Sequence, residues 1–284
     1  GMWENPATQS NMRCLSERGA FLVGPMPGRL ASGAVGMGRM AEPPQIIEMA
    51  RKVLGRHGAL AGLHVVITAG GTQEPLDPVR FLTNRSTGKM GIAIARSARD
   101  FGAQVTVIHS PLQVAIPYGV TSLPVQSAVE MRNATFDLLP GADVLIGAAA
   151  VADYRPASVA EQKIKKKADI DIQLVRNPDI LGEVGRQRAA TGRPKVAVGF
   201  AAETEDLLAN AKAKLESKNL DLILVNDVSA PHSGFGVDTN QVTLLDRWGD
   251  VLPWPLLTKE EVADRLMVWV SRQYQGKGLG DLGE

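Results

Sequence analysis

Cysteine is nearly missing from this sequence. A single one, Cys14, stands among 284 residues, which excludes a disulfide within the chain and points to a reducing, cytoplasmic setting. Arg13 and Arg18 lie near that thiol, but nothing pairs with it at catalytic spacing, so an inert residue is expected. The four histidines, His57, His64, His109 and His232, are scattered without ligand spacing, which argues against a structural zinc site. Charge of one sign is lacking too. A formal net charge of +1 supplies no global field for drawing in DNA or an anionic membrane, so anion binding must come from local lysines and backbone amides. No apolar run approaches the roughly 18 residues that span a bilayer, and no targeting segment is visible. Small molecules are the expected partners, with no nucleic acid and no membrane. Gly1, ahead of Met2, reads as a residue added on expression and is set aside.

What is present is a globular composition, 44% hydrophobic with 29 glycines, in a chain long enough for one large domain. From Gly62 onward, short apolar runs alternate with amphipathic stretches: Val65 to Ala69, Val105 to Ile108, Val144 to Ala150, Val196 to Phe200 and Leu222 to Val225. Runs of this kind are parallel strands buried on both faces. Ser127 with Glu130, and Thr258 with Glu261, are capping boxes that open helices. Asn177, followed by Pro178 and Asp179, reads as a third helix start with proline at the first helical position. Leu207, Leu208, Ala211 and Leu215 form the stripe of a crossing helix. Val242 to Leu245 and Val251 to Trp254 flank Trp248-Gly249-Asp250 as a hairpin. The fold class is therefore α/β, a Rossmann-like doubly wound, mostly parallel sheet with a small antiparallel appendage. Residues 1–60 read as loop-rich with one helix, Gln45 to Arg56; 61–275 read as the main domain and 276–284 as a flexible end.

In a doubly wound sheet, nucleotides bind beyond the carboxyl end of the first strand. That strand ends in Thr68-Ala69-Gly70-Gly71-Thr72, and regular structure resumes at Asn84-Arg85-Ser86-Thr87-Gly88-Lys89-Met90-Gly91. The spacing fits neither a dinucleotide fingerprint nor a P-loop, since the residue five before Gly88 is Thr83. What remains is a helix opening at Ser86, Thr87 and Gly88, whose N–H groups and hydroxyls can hold phosphate oxygens or a carboxylate. Small residues through Ala149 let a base or ribose lie against backbone. Asp153, at the strand end, can hold a ribose hydroxyl or magnesium, or can simply form a turn. The run Lys163-Ile164-Lys165-Lys166-Lys167 follows the same crevice and suits a flap closing on a triphosphate.

Together these residues resemble the phosphopantothenoylcysteine synthetase family over about residues 62 to 273. The likeness runs through Glu74-Pro75-Leu76-Asp77-Pro78-Val79-Arg80, Ala149-Ala150-Val151-Ala152-Asp153-Tyr154, Asn177-Pro178-Asp179-Ile180, Gly199-Phe200-Ala201-Ala202-Glu203-Thr204 and Asn226-Asp227-Val228. It implies a cytoplasmic, magnesium-dependent homodimeric ligase. Its substrates would be CTP, 4′-phosphopantothenate and L-cysteine, joined through an acyl-cytidylate. The resemblance places the family's essential asparagine and lysine on Asn84 and Lys163. It assigns nucleotide contacts to Gly70, Ser86, Ala149, Asp153, Lys163, Asn177, Ile180 and Phe200, and substrate contacts to Asn84, Thr87 and Gly88; the metal contact, if any, is Asp153. Residues Met2 to Gln9 and Arg29 to Pro43 resemble the tail of the flavin-dependent decarboxylase that precedes this family. Ser32 stands where that tail carries its catalytic cysteine, so no decarboxylase activity and no FMN are expected of this chain. Two rivals remain: an NAD(P)-dependent reductase, disfavoured because the second strand ends at His109-Ser110-Pro111, and a non-catalytic nucleotide-binding remnant.

Overall fold

The computed structural model describes residues 1–165, 171–203, 207–227, 234 and 236–276. The central sheet has six strands running in parallel: β1 His64–Ala69, β2 Gln104–His109, β3 Thr121–Pro124, β4 Val144–Gly147, β5 Val196–Glu203 and β6 Leu222–Asp227. Two antiparallel strands complete it, β7 Val242–Asp246 and β8 Val251–Pro253. Across the sheet the order is β8-β7-β6-β5-β4-β1-β2-β3. Strand order therefore reverses between β1 and β4, which opens a crevice at their carboxyl ends. The terminal hairpin extends the main sheet.

Alternating side chains on each buried strand feed two layers of helix. Val65, Ile67 and Ala69 of β1 pack with Ile92, Ile94 and Ala98 of α1 (Lys89–Asp100) and with the core that includes Val262, Leu266 and Trp269 of α5 (Lys259–Tyr274). Val66, on the opposite face, packs with Met131 of α2 (Ala128–Leu138) and Val184 of α3 (Ile180–Thr191). On that second side α4 (Leu207–Ser217) adds Ala211 and Leu215 against Ile223 and Val225. Both caps open helices as read: Ser127 accepts the Glu130 N–H at 3.2 Å, and Thr258 accepts the Glu261 N–H at 3.1 Å. Only the second is a reciprocal capping box, because the Glu130 carboxylate accepts the Gln126 N–H at 2.7 Å rather than that of Ser127. Helix α1 sits close on the sheet because Gly91 has no side chain. A Cβ there would lie 2.6 Å from the Ala69 Cβ. Gly91→Ala should therefore lower stability by about 1–3 kcal/mol, measurable as a fall in thermal midpoint.

Three expectations need correction. First, residues 1–60 are more regular than a loop-rich tail with one helix. Helix Pro6–Glu17 starts at an Asn5 cap, and strands Met26–Arg29 and Val35–Arg39 pair across a turn containing Gly33. The helix buries none of its residues, so it leaves no apolar stripe to read. Second, α3 begins later than the Asn177 signal suggests, because Asp179 caps it by accepting the Gly182 N–H at 3.1 Å. Third, the segments after β1 and β4 contain short antiparallel pairs: Gln73–Pro75 with Phe81–Thr83, and Tyr154–Pro156 with Leu174–Arg176. The flexible end expected at 276–284 lies outside the described residues apart from Gly276.

Helix Pro43–Gly55 docks on the main domain through charge. Glu48 accepts the Arg96 Nε–H at 3.0 Å and the Tyr118 N–H at 3.0 Å, and it also pairs with the buried Arg99. Arg96 reaches Glu260 of α5 at 2.6 Å.

Candidate active site

The carboxyl ends of β1, β4 and β5 open into a cavity of about 630 Å³. Nine of the residues expected at the site line it: Asn84, Ser86, Thr87, Gly88, Ala149, Asp153, Asn177, Ile180 and Phe200. Gly70 does not. It lies just behind the wall, at φ +85°, with its carbonyl accepting the Ala150 N–H at 2.8 Å. Lys163 does not line the cavity either; it is exposed on a neighbouring strap, while Lys166 and Lys167 lie outside the described residues, as do Thr204 and Val228.

Why α1 begins here follows from Gly88. At φ +80° it takes the left-handed conformation that glycine adopts without strain, and it is the N-cap of α1 with no side-chain capping bond. The first-turn N–H groups, which no helix carbonyl can satisfy, therefore open beside the cavity at the positive end of the helix dipole. Ser86 folds back to accept the Gly88 N–H at 3.4 Å. A terminus of this geometry can receive an anion.

Asn84 faces it from the end of the Gln73–Pro75/Phe81–Thr83 hairpin. Its amide donates to the Ala150 and Val151 carbonyls at 3.1 and 3.3 Å, and its Oδ1 accepts no hydrogen bond among the described residues. Asn177 organises the opposite wall. Its N–H donates to the Asp153 carbonyl at 2.8 Å, its amide donates to the Ala152 carbonyl at 2.8 Å, and its Oδ1 accepts from Arg155 at 3.0 Å. The residue read as a helix cap is thus the pin that holds the Asp153 turn. Asp153 itself is exposed at the rim. Among the described residues no group of three or more His, Cys, Asp or Glu could hold a metal ion.

Several cations around the cavity went unassigned in the sequence. Lys218 bonds the Asp179 carboxylate at 2.8 Å. Burial alone would raise the Asp179 pKa, but the bonds from Lys218 and the Gly182 N–H hold it below the usual carboxylate value. Lys89 reaches Asp238 at 2.7 Å and the Gly236 carbonyl at 3.0 Å. Lys259, only 5% exposed, donates to the Gly234 carbonyl at 2.9 Å and to that of Val237. Burial, and then the charge of Lys89, push the Lys259 pKa down, against the pull of Asp238. A signal for Lys259 was available: it follows the Thr258 cap directly, and a lysine in the first turn of a helix opposes the dipole.

The family model described as DNA/pantothenate metabolism flavoprotein C-terminal domain matches residues 60–274. This chain belongs to that family. Among curated relatives, the coenzyme A biosynthesis bifunctional protein CoaBC of Bacillus subtilis is 42% identical over 94% of this chain and 66% of its own length. The protein of that name from Vibrio cholerae is 43% identical over 96% of this chain and 68% of its own. The chain thus spans about two thirds of the bifunctional proteins it matches. A crystal structure of the C-terminal domain of a CoaBC protein is 38% identical, with a TM-score of 0.66, and covers 78% of this chain and 100% of that one. The DNA/pantothenate metabolism flavoprotein from Streptococcus pneumoniae, at 22% identity and a TM-score of 0.62, shares the fold over 75% of this chain and 100% of its own. The family match begins at residue 60, yet helix Pro43–Gly55, ahead of it, packs on the matched domain through Glu48. No helix among the described residues is long and apolar enough to cross a membrane.

Proposed function

We propose that this chain is a phosphopantothenate–cysteine ligase of coenzyme A biosynthesis that uses CTP and passes through an acyl-cytidylate. The observation that carries the reading is the convergence of an uncapped helix terminus, Asn84 and the Asn177-pinned Asp153 turn on one cavity at the strand-order switch. The names of the relatives, CoaBC, supply the pathway. The setting is taken to be cytoplasmic and the working unit a homodimer, as the family resemblance implies.

A carboxylate is a poor acyl donor because its leaving group would be oxide. In the first step a carboxylate oxygen of 4′-phosphopantothenate attacks the α-phosphorus of CTP, and the bond to the bridging oxygen breaks, releasing pyrophosphate. The N–H groups after Gly88, with the Ser86 and Thr87 hydroxyls, receive the anionic oxygens. Ala149, Ile180 and Phe200 supply the apolar walls against which the nucleotide lies, with Gly70 supporting the loop behind them. Lys163 is assigned to hold the triphosphate from the strap. Magnesium, carried chiefly by the phosphates with Asp153 as its protein ligand, would neutralise charge on the departing pyrophosphate. In the second step the cysteine amine attacks the acyl carbon, CMP leaves, and the nitrogen loses a proton. Asn84 is assigned to donate to the acyl oxygen, exchanging one of its two backbone carbonyls for it.

The test is pyrophosphate release by the chain with CTP and phosphopantothenate, with and without cysteine, and with ATP in place of CTP. Release with CTP even without cysteine, and amide formation only with it, are expected. A nucleotide-binding remnant would bind CTP and turn nothing over.

A further inference from the structure

The hairpin whose last residue leads into Asn84 carries at its tip a second built feature, the turn Asp77 to Arg80. Asp77 is 3% exposed and bears a carboxylate inside a small ring of donors. It accepts the Val79 N–H at 2.8 Å, the Arg80 N–H at 2.9 Å and the Arg80 side chain at 3.0 and 2.6 Å. Those contacts close the turn on itself. The remaining one reaches across the chain: the Ile164 N–H donates to the Asp77 Oδ2 at 3.1 Å. Arg80 completes the grip by donating to the Ile164 carbonyl at 3.0 Å, and the Ala160 N–H donates to the Leu76 carbonyl at 3.0 Å. Both backbone groups of Ile164 are therefore held by the turn. Ile164 follows Lys163 directly.

A turn needs no buried carboxylate with a long-range bond; the Asp77 contacts to Val79 and Arg80 already form one. The bond to Ile164 makes the hairpin a strut, with Asn84 at its base and the root of Lys163 at its tip. We propose that Asp77, seconded by Arg80, is a positioning residue that acts through Lys163. It sets where that lysine leaves the backbone, and hence the lysine's reach to the nucleotide phosphates. Hydrogen bonds from Arg80, against the opposing effect of burial and aided by the backbone N–H groups, hold the Asp77 carboxyl well below the usual carboxylate range. The clamp thus stays charged at any pH where an enzyme of this kind works.

This inference rests on the nucleotide role given to Lys163, and a double-mutant cycle on CTP binding tests the two separately. The full chain, Asp77→Asn, Lys163→Ala and the double variant are titrated with CTP and magnesium by calorimetry, with thermal midpoints alongside. Asp77→Asn should weaken CTP binding roughly tenfold in the native background and less than about twofold once Lys163 is alanine. Arg80→Gln, which leaves the carboxylate in place, should follow the same pattern with a smaller effect. An equal loss in both backgrounds overturns the proposal in favour of a purely structural turn, as does unchanged binding by Asp77→Asn. If the native chain fails to bind CTP, it is the ligase reading that falls.

Discussion

Asn84→Asp should release pyrophosphate at close to the native rate and then stall. The substitution removes both N–H donors and puts a negative charge beside the Ala150 and Val151 carbonyls, which now accept from the amide at 3.1 and 3.3 Å. In the proposed reaction, phosphate chemistry at the α1 terminus does not depend on that amide. The attack of cysteine does, because negative charge collects on the acyl oxygen as the amine adds, and loss of one such donor costs about 10²- to 10³-fold in rate. Acyl-cytidylate should then build up to an amount comparable with the enzyme, detectable by mass spectrometry of quenched mixtures, while amide product falls by that factor. Product at the native rate would falsify the role given to Asn84. Equal losses in both steps would make the residue a tether of the 150–151 turn and nothing more.

Glu48→Ala should destabilise the fold strongly. The Arg99 side chain is 1% exposed, and after the change it would keep only Asp100 at 2.6 Å and the Tyr118 carbonyl at 2.7 Å as partners. Removing one partner of a buried charge costs about 3–5 kcal/mol; the surviving contacts put this case near 3. For a chain of this size that is a fall of roughly 6–12 °C in thermal midpoint. The effect should depend on pH in a defined direction. Burial favours the neutral form of Glu48, but the hydrogen bond and charge of Arg99, joined by those of Arg96, outweigh it and lower the pKa. A carboxyl with a depressed folded-state pKa contributes its stability above its unfolded value of about 4.3 and loses it as pH falls through the folded one. Denaturant midpoints of native protein and variant should therefore be far apart at neutral pH and converge in acid. A constant gap across that range would show that Glu48 acts through packing.

The sheet was legible because its inner strands are buried on both faces: Val65 to Ala69, Val105 to Ile108 and Val196 to Phe200 all fall within observed strands. Strand β3, Thr121–Pro124, was not, since three of its four residues are exposed and no apolar run marks it. Val144 to Ala150 was read too long: the strand ends at Gly147, although Ala148 still donates to the Thr68 carbonyl at 3.2 Å and a bridge pairs Gly71 with Ala150, a boundary that composition does not mark. Small residues signalled the lining correctly, whereas Asn177 was misjudged because a cap and a pin call for the same side chain. The grip on Ile164 had no local signature at all. It joins Asp77 to a residue 87 positions away, and one sequence shows no pairing over such a distance.

Both outer strands of the sheet end in proline, Pro124 in β3 and Pro253 in β8, and neither strand is longer than four residues. Proline has no N–H to offer a visiting strand, and a short edge gives little to template on. Sheet-to-sheet accretion, the route by which exposed borders nucleate fibrils, is thus blocked at each margin. Pairing of two copies through the borders of the main sheet is therefore disfavoured, and concentrated solutions of this protein should resist amyloid-like growth for that reason.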